Sequence, residues 1–192
     1  IDNVSDTLSS AKEKIGLIIT VDNGIVAHEA VEYAKKKGID VIITDHHVVD
    51  KKIPPAYSIV HTTALCGTGV SFILSRLLAH GSLDIEKDFT SEDKLELVVL
   101  ATIADLVPLK GANRILTKIG LERIRKTKRV GLLELCKEAV IKVSDIQVYQ
   151  IGHIIAPRLN AMGRMEYAMD SLRLLCTSNA KRAEDLAMKL GK

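Results

Sequence analysis

The chain has 192 residues, 47% of them hydrophobic, 27% charged and only 3% aromatic, with no Trp. This composition excludes a disordered polymer, and no apolar run reaches the roughly 18 residues of a membrane-spanning helix. The formal net charge of +3 permits a nucleic-acid partner without demanding one. The core must be built from Ile, Leu, Val and Ala. Cys66, Cys136 and Cys176 are odd in number and widely spaced. They suggest no disulfide framework and are expected to be small buried apolar residues, which fits a reducing cytoplasm. No signal peptide is evident, and the first residue is Ile1 rather than Met, as expected of a piece of a longer protein.

In chain order, "GLIITVDNG" (16–24) reads as a continuous apolar strand ending at Asp22-Asn23-Gly24. In "IVAHEAVEYAKKKG" (25–38), Val26, Ala27, Ala30, Val31 and Ala34 recur at helical spacing. Lysines fill its last turn before Gly38, a favourable helix end. "IDVIIT" (39–44) is a second buried strand. Strand, helix and strand in so short a span form a βαβ unit with parallel strands. "AYSIVH" (56–61) is a third strand.

Beyond it the chain turns helical. Helices are predicted over 67–81, from a glycine-rich start, and over 90–109, where Thr90 and Asp93 approximate a capping box and Pro108 ends the run. More follow near 113–126, 131–139, 145–155, 167–176 and 179–190, with Pro157 predicted to break the one near 145–155. The fold class is α/β, a parallel sheet with flanking helices and a mostly helical C-terminal half.

Ligands in parallel α/β sheets gather beyond the carboxyl ends of the strands. Asp22 ends the first strand, and Asp45, His46 and His47 end the second. Neighbouring strands place all four on one rim. Carboxylates with imidazoles suit Mn²⁺, Fe²⁺ or Zn²⁺ better than Mg²⁺ alone. The rival readings are an Asx-turn at "DNG" and a polar loop at "DHH". Two such clusters side by side favour metal, because a turn needs only one. Asp105 lies in "LVVLATIADLVPL", among apolar neighbours, and is expected to be a buried carboxylate that is paired, protonated or metal-bound. Capping of the following turn is its alternative.

"LIITVDNG", "VIITDHH", "GTGVSF", "ATIADLVPL" and "PRLNAMGRM" occur in the same order as in the DHH phosphoesterases, and the chain resembles specifically the RecJ-type nucleases from about residue 16 to 190. The resemblance implies a DHH-type catalytic domain over 1–165, cut at its N-terminus. Residues 166–192 would then lead to a connecting helix and a C-terminal domain outside this sequence. It implies 5′→3′ exonuclease activity on single-stranded DNA in repair and recombination, dependent on two Mn²⁺ or Mg²⁺ ions.

By motif, Asp22 looks like the metal-bridging carboxylate, and His46 and Asp105 like further metal ligands. His47 resembles a residue that contacts metal or the scissile phosphate, and Asp45 one that orients a histidine. Arg158, Asn160 and Arg164 look like phosphate contacts, a task the forked guanidinium suits. The family also carries an earlier strand end with two aspartates one residue apart. Asp2 and Asp6 in "IDNVSD" have no apolar strand before them, so the chain is expected to begin just after that motif.

Two rivals stand beside the exonuclease: a DHH phosphoesterase of short oligonucleotides or cyclic dinucleotides, and a non-catalytic protein that binds single strands or a replication or repair partner. The stretch 110–131 holds eight Lys and Arg against Glu122 alone. It reads either as a phosphate-tracking surface or as a solvated face. Gly67-Thr68-Gly69 reads as a phosphate-holding helix start or a close-packing turn. His28, His61, His80 and His153 show no ligand spacing and read as structural.

Overall fold

The computed structural model describes residues 15–80, 94–161 and 168–191. The chain divides into two compact units, 1–84 and 85–192. Among the described residues no helix is long and apolar enough to cross a membrane.

The first unit holds β1 (Leu17–Val21), α1 (His28–Lys36), β2 (Asp40–Asp45), β3 (Ser58–His61) and α2 (Gly67–His80). The strands are parallel in the order β1-β2-β3. Pairing runs from Leu17↔Asp40 to Val21↔Thr44, and from Ile42↔Ser58 to Asp45↔His61. The central strand is the most buried, as its unbroken β-branched run dictates. Val41 and Ile43 pack with Val31, Ala34 and Ile39, so the apolar stripe of α1 covers the sheet. Lys35 and Lys36 fill the last turn of α1, and Gly38 takes φ 72°. The register carries the ends of β2 and β3 to one rim.

The second unit is helical: α3 (Leu95–Ala104), α4 (Gly111–Ile124), α5 (Val130–Glu138), a 3₁₀ turn (Val143–Asp145), α6 (148–161), α7 (Ala168–Cys176) and α8 (Ala180–Leu190). Val99, Ile103, Ile124, Leu135, Ile151 and Leu174 are among its buried core residues. Gly120 lets α4 approach α3 closely, since a Cβ there would lie 2.6 Å from the Cβ of Val99. Glu96, nearly fully buried, meets the Nε of Arg129 at 3.3 Å, and the Nη1 of Arg129 donates to the Leu175 carbonyl at 2.7 Å.

The helix bounds depart from expectation in two places. Helix α3 ends at Ala104, four residues before Pro108, because Leu106 turns left-handed at φ 55°. Its anticipated capping box at Thr90 and Asp93 lies outside the described residues. Pro157 does not break its helix. Helix α6 runs as α over Val148–Gln150, as a π turn over Ile151–Ile155, and as α again over Ala156–Ala161. The wider turn absorbs the proline's missing N–H without ending the helix.

Candidate metal centre

Asp22 follows the last residue of β1 in a left-handed conformation, φ 62°, with its N–H donating to the Thr44 carbonyl at 2.9 Å. Asp tolerates this region better than most residues, and such strain is common at functional sites. The turn beyond is tied by the Thr20 hydroxyl, which donates to the Asn23 carbonyl at 2.7 Å. The Thr44 hydroxyl donates across the strands to the Thr20 carbonyl at 2.8 Å.

Asp45 ends β2 with 1% of its surface exposed. Its Oδ2 accepts the Ile25 N–H at 2.9 Å. Its Oδ1 accepts the N–H groups of His46 at 2.7 Å and His47 at 3.2 Å. The same oxygen meets Nδ1 of His47 at 2.7 Å. Burial pushes this carboxyl up, but the Ile25 amide, the His47 ring and the two loop amides outweigh it and hold it down at about 2. Asp45 is therefore ionised and can only accept, so Nδ1 of His47 carries the proton. In the neutral imidazole Nε2 of His47 is then left with the lone pair, the form a metal-ligating imidazole takes.

Nε2 of His46 lies 3.1 Å from Oδ1 of Asp22. The two imidazoles tilt against each other with ring centres 4.5 Å apart. Donor atoms of Asp22, His46 and His47 all fall within 4.8 Å of one another. One carboxylate and two imidazoles within that distance fit a divalent cation of the Mn²⁺, Fe²⁺ or Zn²⁺ kind. The structure thus brings together four of the residues predicted from sequence, Asp22, Asp45, His46 and His47.

One contributor escapes the sequence reading, and a second decides between two alternatives it left open. His61, expected to be merely structural, donates from Nε2 to the His47 carbonyl at 2.7 Å. Its place at the end of β3, in register with Asp45, was the available signal. Gly67, at the start of α2, is the second. A Cβ there would collide with the Asp22 carboxylate, so close packing is the reason for the glycine.

The other predicted residues belong to the second unit. Asp105 is exposed at the C-terminal cap of α3, not buried. The apolar neighbours belong to a helix that stops one residue earlier, and the left-handed turn at Leu106 leaves the carboxylate outside. Arg158 is half-buried in α6, with Nη1 donating to the Ile154 carbonyl at 3.1 Å, and its buried Nε meets no hydrogen-bond partner among the described residues. Asn160 is exposed, and Arg164 lies outside the described residues. Cys66 and Cys136 are buried as expected, but Cys176 is exposed at the end of α7.

A parallel sheet that gathers a carboxylate and two imidazoles at its carboxyl rim defines a class, the α/β domains built to hold a divalent metal there. The sequence pattern of the DHH family, N-terminal domain, matches residues 2–102, and the chain belongs to that family. It is 40% identical over 191 residues to the single-stranded-DNA-specific exonuclease RecJ of Bacillus subtilis, covering 94% of this chain and 23% of that protein. To the Escherichia coli RecJ it is 37% identical, covering 91% of this chain and 33% of that protein.

Among solved structures, RecJ of Thermus thermophilus in complex with Mn²⁺ matches with a TM-score of 0.80 and 32% identity, over 98% of this chain and 28% of that one. An exonuclease RecJ bound to manganese matches at 0.81 and 32%, over 99% and 48%. The Thermus thermophilus protein with Mg²⁺ matches at 0.62 and 29%, over 98% and 27%. The chain thus spans about a quarter to a third of the length of the curated relatives cited.

Proposed function

We propose that this chain is the metal-binding core segment of a nuclease that degrades single-stranded DNA from its 5′ end, in DNA repair and recombination in the cytoplasm. Mn²⁺ or Mg²⁺ is its cofactor, two ions in the complete protein. The observation that carries this reading is the convergence of Asp22, His46 and His47 at the rim of the sheet. The specificity of the RecJ relatives for single-stranded DNA supports the substrate.

In this reading Asp22 bridges the metals, and His46 binds one of them through Nε2. His47, its Nδ1 proton held by Asp45, turns Nε2 toward metal or the scissile phosphate. Asp105 supplies a second carboxylate, and Arg158, Asn160 and Arg164 hold phosphate oxygens. When bound, the cations supply Lewis-acid polarisation of the phosphodiester and of the attacking water. Asp45 keeps the imidazole in one tautomer and one orientation, so no reorganisation is needed at the moment of reaction. Replication or repair proteins are its further partners.

Digestion of 5′-labelled single-stranded DNA, matched duplex and short RNA with added Mn²⁺ tests the reading. Strand digestion from the labelled end that is lost with a chelator and with His46→Ala is expected. Digestion that survives both, or a preference for duplex or RNA, contradicts it.

A further inference from the structure

We propose that α4 and the turn after it form a docking surface for the phosphate backbone of single-stranded DNA, engaged by Arg114, Lys118, Lys126 and Lys128. The proposal rests on the nuclease reading for its ligand, but not on the metal centre for its geometry. Residues 110–131 hold eight of the chain's 27 Lys and Arg and one of its 24 acidic residues. This segment therefore carries +7, and the rest of the chain −4, which together make the net +3. All of the excess positive charge of the protein sits in one place.

The structure divides these cations by task. Arg125 is half-buried, its Nε donating to the Ile146 carbonyl at 2.7 Å, and Arg129 is held by Glu96 and Leu175. Those two hold the fold together. Arg114, Lys118, Lys126 and Lys128 are exposed, and among the described residues no ion pair reaches them. Surface lysines elsewhere in this unit do pair: Lys137 with Glu134, Lys181 with Glu184 and Lys189 with Asp170. The charge on α4 is thus unneutralised from within.

Arg114 and Lys118 stand one helical turn apart on the same face, about 6 Å along the axis. Between Gly111 and Lys128 the exposed large apolar side chains reduce to Ile115, which offers little seat for an acidic peptide. No Phe, Tyr or Trp lies in 110–131, so bases find no stacking platform. Contact is expected to be electrostatic, indifferent to sequence and steeply dependent on salt.

The test is fluorescence anisotropy of labelled oligo-dT with the full 192-residue chain, in EDTA so that nothing is hydrolysed, over a salt series. The fourfold variant R114Q/K118Q/K126Q/K128Q is compared with K35Q/K36Q/K37Q/K142Q, which removes the same charge elsewhere. Circular dichroism checks that both fold. The α4 variant is expected to lower the slope of log K against log salt by about 2–3, near 0.7 for each lost contact, and to weaken binding at low salt at least about tenfold. The control is expected to leave the slope unchanged.

Equal losses in the two variants, no binding by the unaltered chain, or tighter binding of poly-glutamate than of oligo-dT would each overturn the proposal. Binding through α4 with no Mn²⁺ binding by the chain would refute the metal centre on which the nuclease reading rests and leave the surface standing. Digestion with an unaltered slope would do the reverse.

Discussion

His61 donates a hydrogen bond from Nε2 to the backbone carbonyl of His47 at 2.7 Å. The last residue of β3 thereby holds the loop that leaves β2, in addition to the Asp45 clamp. Replacing His61 by Ala removes the donor and frees the loop to move. Weaker Mn²⁺ binding, by about tenfold, is expected from the general cost of losing a residue that positions a ligand. His61→Gln, which keeps an N–H at similar reach, should restore most of it. Mn²⁺ titration followed by electron paramagnetic resonance reads both variants, and equal binding in both would remove His61 from the site.

The packing of α2 against Asp22 gives a second expectation. Gly67→Ala drives a methyl group into the Asp22 carboxylate, so either the helix start or the carboxylate must move. Loss of Mn²⁺ binding with the secondary structure kept is the predicted result. Gly16→Ala is the control, since nothing lies within 4 Å of a Cβ at that position. Its binding curve should overlay that of the unaltered chain.

Asp45 makes stability depend on pH in an acid window. Its carboxyl titrates at about 2 in the folded chain against an ordinary 3.8. Between these values the unfolded chain binds the extra proton, so stability rises with pH there. The contribution is complete above about pH 4 and is lost as pH falls toward 2. Urea unfolding of the unaltered chain across pH 2–5 should show that slope, and Asp45→Asn should reduce it, leaving the share of Asp170 and Glu184, which are also held down by their lysine partners. Parallel curves for the two would mean that the clamp is energetically idle.

Val140 follows the cap of α5 at φ 56° with 92% of its surface exposed. A β-branched residue in the left-handed region is strained, and its side chain packs against little there. Val140→Gly should therefore stabilise the chain by about 1 kcal/mol, read as a higher Tm. A lower Tm would show that the valine makes a contact worth more than the strain.

The rim of the sheet was legible in sequence because parallel strands announce themselves. Apolar runs that stop at Asp22 and at Asp45-His46-His47 can place their ends only on one edge once the intervening segment is a helix. Which residue performs which task was less visible. That Asp45 binds four donors, and so fixes the tautomer of His47, depends on where the Ile25 amide falls, and no periodicity encodes that. His61 looked inert because its partner is a backbone carbonyl, which leaves no trace in residue type.

The expected burial of Asp105 fails because hydropathy sums over neighbours in sequence. Its exposure is decided by one left-handed residue, Leu106, that no propensity favours. The π turn in α6 is a similar case: a proline usually ends a helix, but here the preceding residues widen into the gap.

Mn²⁺ binding to the 192-residue chain, with Asp22→Asn and His46→Ala beside it, tests the central claim most directly. The unaltered chain is expected to quench the free-Mn²⁺ resonance on titration, and each substitution to abolish the effect. Binding undiminished in both variants would place the metal elsewhere. No binding by the unaltered chain would mean that the cluster of Asp22, His46 and His47 does not hold the ion by itself.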